Sequence, residues 1–67
     1  MNNFTNNLIY LTKTRINQNQ LAEKLDVTRQ QVNRYIKGQE PNYDRLIKIS
    51  EIYNVSIDDL LKKDLSK

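Results

Sequence analysis

The chain has 67 residues, a formal net charge of +3, no cysteine and no histidine. That length allows one domain with a small core. Without cysteine or histidine there is no disulfide, no thiolate nucleophile, no imidazole base and no common zinc site, so we expect neither an enzyme nor a bound cofactor. These absences suit a reducing cytoplasm, where a small domain depends on well-packed helices or on a partner subunit.

The N-terminal segment MNNFTNNLIYL is not typical of a signal peptide, because no basic region precedes its apolar residues. No apolar run approaches the roughly 20 residues of a membrane-spanning helix, so we expect no association with a membrane. The positive charge favours nucleic acid or an acidic partner, but a modest excess is common among small domains. We therefore expect a cytoplasmic protein whose motifs, rather than its charge, indicate its function.

Apolar residues recur at spacings of three and four almost throughout, which predicts an all-α fold. The predicted helices are α1 over about 4–14, α2 over about 18–25, α3 over about 29–37, α4 over about 43–53, and α5 beginning after Ser56. We expect a single domain over residues 1–67, with its core in 4–62. The tail 63–67 is expected to fray, unless Leu65 contacts a partner.

Residues typical of helix ends stand between these apolar stripes. Side chains that favour a helix start precede the four later helices: Asn17, Thr28, Asn42 and Ser56. Gln20 and Gln31 follow the first two at the spacing of a capping box. Asp26 and Gly38 follow α2 and α3, and both residue types tolerate the left-handed backbone that ends a helix.

The predicted α3 separates its polar side chains from its apolar ones. At about 100° per residue, Val32, Tyr35 and Ile36 fall together on one side. The other side is a continuous polar arc, called the α3 arc below: Arg29, Gln30, Asn33, Arg34 and Lys37. Arginine presents a planar donor fork that matches guanine, and glutamine or asparagine pairs a donor with an acceptor, as adenine requires. Because the arc contains no acidic residue, it indicates DNA contact; the alternative is an ordinary solvated helix face.

The helix before the α3 arc favours DNA contact over a solvated face. An eight-residue helix, a three-residue turn and a capped helix have the spacing of a helix-turn-helix motif, whose second helix enters the major groove. Ala22 is small where α3 must approach α2 closely. Val27 and Val32 can fill the angle between the two helices.

The segments NQNQLAEKLDVTRQQVNRYIKGQEPN and LIKISEIYNVSIDDLL resemble the lambdoid phage repressor/Cro-type helix-turn-helix family, also called the XRE family. The resemblance runs from about Ile16 to Leu61, and α1 matches more loosely. It implies a five-helix repressor-like domain. Two positions depart from the family: Asp26 replaces a turn glycine, and Ile36 replaces a glutamate that many members pair with an arginine of α1.

The resemblance implies a role for each matching residue. Arg29, Gln30 and Arg34 match base-reading positions, with Asn33 as a secondary candidate. Positions that approach phosphates in the family are occupied here by Asn17, Gln18, Thr28, Lys37, Gln39 and Asn42. Ile57 and Leu61 are candidates for a dimer interface, because the family commonly dimerises near the end of α4 and at α5.

The resemblance also implies a function: a sequence-specific regulator of transcription, as a dimeric repressor from a bacterium or phage that binds a palindromic operator in double-stranded DNA. It would lie on the bacterial nucleoid, or in the host cytoplasm if phage-encoded. The second hypothesis is a protein-binding module of the same fold, as in an antitoxin, an anti-repressor or a domain that binds a regulatory protein. The acid-free α3 arc favours DNA. The chain is expected to be either a small complete regulator or the DNA-binding part of a larger repressor.

Overall fold

The computed structural model describes residues 3–66, and over that range the chain forms five α-helices and no strand. Their bounds are α1 Phe4–Thr14, α2 Gln18–Leu25, α3 Arg29–Ile36, α4 Tyr43–Tyr53 and α5 Ile57–Lys62. The predicted all-α class is confirmed. The third helix ends one residue earlier than predicted, because Lys37 is its C-cap. None of the helices in the described range is long and apolar enough to cross a bilayer.

The side chains predicted to start helices do so. At Asn17, Thr28, Asn42 and Ser56, a side-chain oxygen accepts the backbone N–H three residues further on. The capping box of α2 is complete, since the N–H of Asn17 also donates to Gln20 Oε1 at 3.2 Å. At α3 only one half of the predicted box forms: Thr28 Oγ1 accepts the N–H of Gln31 at 3.2 Å. Each such cap contributes about 1 kcal/mol to helix stability.

Left-handed residues end three of the helices. Asp26 and Asn54 have φ of 58° and 56°, and Gly38 has φ of 120°. Asparagine and aspartate tolerate the left-handed conformation near φ of 57° better than most residues. Asp26 can therefore stand where the family has a turn glycine. The φ of Gly38 lies where L side chains are rare, which suits its predicted place just beyond α3.

One apolar core joins all five helices. Its buried members are Phe4, Leu8, Leu11, Leu21, Ala22, Leu25, Val32, Tyr35, Ile49, Tyr53 and Leu60. Val32 and Tyr35, predicted to face inward from α3, are 0% and 2% exposed. Ile36 is half-buried against the same core, so an apolar contact takes the place of the glutamate seen in the family. Burial of each large apolar side chain contributes about 1.5–3 kcal/mol, which orients α3 firmly.

A buried asparagine of α1 binds the end of α5. Asn7 is fully buried, and its Nδ2 donates to the carbonyls of Leu60 at 2.8 Å and Lys63 at 2.6 Å. Its Oδ1 accepts the N–H of Leu65 at 2.9 Å. The last carbonyls of a helix have no partner within it, so Asn7 supplies donors that the short α5 lacks.

The segment after α5 is attached to the core by these bonds. Leu65 is half-buried and packs against the core, which differs from the expected fraying of the tail. Asn3 adds to this attachment, since its N–H donates to Leu61 O at 2.7 Å and its Nδ2 to Lys62 O at 3.1 Å. The last predicted tail residue, 67, lies outside the described residues.

Tyr53 attaches the connection between α1 and α2 to the end of α4. The Tyr53 hydroxyl donates a hydrogen bond to Ile16 O at 2.8 Å. The backbone carbonyl of Tyr53 accepts a hydrogen bond from Arg15 Nη1 at 2.7 Å. Burial raises the pKa of the Tyr53 hydroxyl to about 12, although the positive charge of Arg15 acts in the opposite direction. These two bonds hold the residues that lead into α2.

Tyr53 makes folding sensitive to alkaline pH. Between pH 10 and about 12 the unfolded chain loses the phenol proton while the folded chain keeps it, so the free energy of unfolding falls as pH rises. In Tyr53→Phe we expect that free energy to fall less over the same interval, as measured by urea unfolding at several pH values. Tyr43→Phe, at a side chain that is 66% exposed, is the control. A wild-type pH dependence in Tyr53→Phe would contradict this assignment.

Candidate nucleic-acid interface

The α3 arc is exposed along its whole length. All five of its side chains are solvent-exposed, because the opposite side of α3 is buried in the core. Among residues 3–66, none of these five side chains forms a hydrogen bond or ion pair within the protein. The two ion pairs found in that range join Lys62 to Asp58 and Lys63 to Asp59, in α5 and at its C-cap. The donors and acceptors of the arc are therefore available to a bound partner.

The start of α2 lies beside the start of α3. A surface depression is lined by Gln18, Arg29, Gln30 and Asn33. An adjoining depression shares Gln18 and Arg29 and adds Thr12, Asn17 and Asn19. The first backbone N–H groups of a helix have no partner within it, and they carry the positive end of the helix dipole. An anion placed at the start of α2 would therefore meet N–H groups and the arginine of α3 together.

Three helix caps keep a donor for an outside partner. Asn17 and Asn42 use the side-chain oxygen to accept a backbone N–H, at 2.9 Å in each case. Thr28 does the same with its hydroxyl oxygen. The amide NH₂ groups and the hydroxyl hydrogen are donors that this capping does not use. Capping and a phosphate contact are therefore compatible at the same three residues.

The structure groups some of the predicted site residues and separates others. The depressions at the α2–α3 junction bring together five predicted residues: Asn17, Gln18, Arg29, Gln30 and Asn33. Arg34, Lys37, Gln39 and Asn42 are exposed but lie outside these depressions, at the end of α3 and in the connection to α4. The N–H of Gln39 donates to Arg34 O at 3.0 Å, which holds that connection against the end of α3.

Two features of this face were not predicted from the sequence. Asn19 is exposed and lines the second depression; its place directly after Gln18 at the start of α2 could have indicated it. Arg45 of α4 donates from Nη1 to Tyr35 Oη at 3.0 Å. No local pattern indicates that bond, because it joins side chains on two different helices.

The two residues predicted for a dimer interface are half-buried. Leu61 packs against the core and lines a cleft with Phe4, Glu40, Pro41 and Leu46. Part of its apolar surface therefore serves its own domain. Ile57 begins α5 beside the cap residue Ser56. Their role in an interface stays a prediction.

A family model described as helix-turn-helix matches residues 10–60. The chain belongs to the helix-turn-helix family. The match includes all of α2, α3 and α4, and it confirms the predicted XRE-type helix-turn-helix. Helix-turn-helix domains are nucleic-acid-binding modules, so membership also confirms that the domain is not an enzyme.

This helix-turn-helix chain is similar to a protein named HTH-type transcriptional regulator ImmR, from Bacillus subtilis (strain 168). The two are 42% identical over 48 residues, which make up 70% of this chain and 38% of ImmR. The chain thus spans less than two fifths of the length of that relative. No solved structure gives a significant match.

The cap of α3 can be tested separately from any ligand. Thr28→Ala removes the oxygen that accepts the N–H of Gln31, and we expect it to lower the free energy of unfolding by about 1 kcal/mol. Thr28→Ser keeps a hydroxyl and should stay close to the wild type. Urea unfolding measures both variants. Equal stability of Thr28→Ala and the wild type would show that the cap contributes nothing.

Proposed function

We propose that this helix-turn-helix domain regulates transcription by binding one particular sequence of double-stranded DNA, as a dimeric repressor on a palindromic operator. The observation that carries this proposal is the α3 arc, which is exposed, free of acidic residues and without partners in the described protein. Its eight-residue helix is about 12 Å long, comparable with the width of the major groove. The name of the Bacillus relative, a transcriptional regulator, supports the regulatory role.

In this proposal, base reading and phosphate binding belong to different residues. Arg29, Gln30 and Arg34 read base edges, and Asn33 assists, because these side chains combine forked donors with acceptors. Phosphates are bound by the caps and by the neighbouring residues of both connections: Asn17, Gln18, Thr28, Lys37, Gln39 and Asn42. Contacts to phosphate fix the position of the protein on the duplex, and contacts to bases select the sequence.

The size of the domain supports two copies on neighbouring turns of DNA. The longest extent of the Cα atoms is 27 Å. Side chains add roughly 3 Å at each side. The total approaches the roughly 34 Å between half-sites that are one helical turn apart. Two domains bound at that spacing with their longest dimension along the DNA axis would touch, and Ile57 and Leu61 are the residues proposed for that contact. Such a regulator acts in the cytoplasm, where bacterial or phage DNA is transcribed.

Arg34 tests base reading. We expect Arg34→Ala to weaken binding to the preferred duplex by about 1–3 kcal/mol and to relax the preference at one base position, because a bidentate pair is lost. Binding is measured on the preferred duplex and on its single-base variants. Arg34→Lys is the matched control: it keeps the charge but not the planar fork, so it should keep non-specific affinity and lose discrimination. Equal weakening on every duplex would refute base reading by Arg34.

Gln18 tests phosphate binding at the start of α2. We expect Gln18→Ala to weaken binding by a similar factor on all duplexes, since a backbone contact carries no sequence information. Asn6→Ala, at an exposed amide on α1, is the control and should bind as the wild type does. The same set of single-base variants serves as the measurement. A changed preferred base in Gln18→Ala would show that Gln18 reads sequence instead.

A further inference from the structure

We propose that two asparagines at the start of α1 determine the half-site spacing that the dimer accepts, because they hold α5 in one orientation relative to α3. The inference rests on the proposed function and adds to it the residues that set the distance between the two copies. These positioning residues are Asn3 and Asn7, which are one helical turn apart and are called the asparagine clamp below.

Asn3 gives its polar groups to α5 rather than to its own helix. It stands at the N-cap of α1, yet its side chain makes no capping bond there. An N-cap asparagine ordinarily accepts a backbone N–H of the helix that it begins. Here Nδ2 of Asn3 donates to Lys62 O at 3.1 Å, and its backbone N–H donates to Leu61 O at 2.7 Å. This asparagine therefore serves the far end of the chain.

The asparagine clamp supplies the hydrogen-bond donors that α5 lacks. The fully buried Asn7 donates from Nδ2 to Leu60 O and Lys63 O. Together with the two bonds of Asn3, this gives a donor to each of the four consecutive carbonyls of residues 60–63. A six-residue helix is marginal by itself, and its last carbonyls have no partner within it. The clamp therefore determines where the C-terminal end of α5 lies.

The first helix joins α5 to the helix proposed to read bases, because α1 packs against both α3 and α5. At its start α5 is connected to α4 through residues 54–56, and at its end it is held by the asparagine clamp. Of the two residues proposed for the dimer contact, Ile57 lies at the start of α5 and Leu61 near its end. The orientation of α5 on α1 therefore fixes how far apart the two copies of α3 lie in the proposed dimer.

A buried amide suits this role because its hydrogen bonds have direction. Apolar contacts alone would tolerate a small shift of α5 along α1. Asn7 must meet carbonyls with its NH₂ group, and its Oδ1 must meet the N–H of Leu65, at 2.9 Å. A shift would leave these buried groups without partners, which costs free energy. Buried asparagines fix the register of paired helices in coiled coils for the same reason.

The test replaces Asn7 by aspartate, which has nearly the same shape but no amide donors for the carbonyls of α5. Binding is measured on a single half-site and on palindromes with the preferred spacing or with one base pair added or removed between the half-sites. We expect Asn7→Asp to bind the half-site as the wild type does. It should bind the preferred palindrome roughly tenfold more weakly, because only copies with α5 in place can pair. Its preference for that spacing over the altered ones should shrink by a similar factor.

Two further variants separate the clamp from charge and from overall stability. Asn6→Asp places the same negative charge at an exposed position of α1 and should keep the spacing preference of the wild type. Asn3→Ala removes the bond to Lys62 O but keeps the backbone bond to Leu61 O, so it should reduce the spacing preference less than Asn7→Asp does. Circular dichroism checks that each variant is folded, and if Asn7→Asp is not, Asn3→Ala becomes the test.

The possible outcomes distinguish this inference from the proposed function. If the wild-type chain binds no palindrome as a dimer, the proposed function fails, and this inference fails with it. If the wild type selects one spacing and the folded clamp variant selects it equally well, the clamp only stabilises the fold. The inference is also wrong if the clamp variant loses half-site and palindrome binding equally, or if Asn6→Asp loses the spacing preference too.

Discussion

The angle between α2 and α3 is the constraint on which the rest of this structure depends. A three-residue turn sets it: Asp26 takes the left-handed conformation, Val27 packs against the core, and Thr28 starts the next helix. Burial of Val32 and Tyr35 then determines how α3 is rotated about its own axis. Because one side of that helix is committed to the core, the other side must face outward. The α3 arc is thus exposed because the opposite side of the helix is packed in the core. Its side-chain donors and acceptors are therefore available to bind a partner.

Neutral groups make most of the polar connections between distant parts of the chain. The amide of Asn7 binds the end of α5, the hydroxyl of Tyr53 binds the entry to α2, and the hydroxyl of Tyr35 holds Arg45. A domain of 67 residues without disulfides has a small core, so bonds that attach its ends and connections matter to its stability. Amide and hydroxyl groups can make these connections inside the protein because each has a hydrogen-bond partner there. The cations of the α3 arc form no ion pair within the described residues.

Sequence patterns indicated the features that depend on neighbouring residues. Capping side chains such as Thr28, the left-handed Asp26 and the two sides of α3 all follow from local spacing and from the conformational preferences of single residues. The contact between Asn7 and Leu65 could not be predicted in this way, because it joins residues at opposite ends of the chain. We expected the tail to fray because nothing near Leu65 in the sequence indicates that its N–H binds the buried amide of Asn7. The bond between Tyr35 and Arg45 likewise depends on how two helices pack.

The central claim is that the outward side of α3 selects a DNA sequence. Selection from a pool of random duplexes with the purified chain, followed by sequencing of the bound fraction, tests it most directly. We predict enrichment of one palindromic sequence whose half-sites are centred roughly 34 Å apart, and we predict that this enrichment is lost when the α3 arc is replaced by alanines. A bound fraction with the same composition as the starting pool would contradict the claim, and it would favour a protein rather than DNA as the partner of this surface.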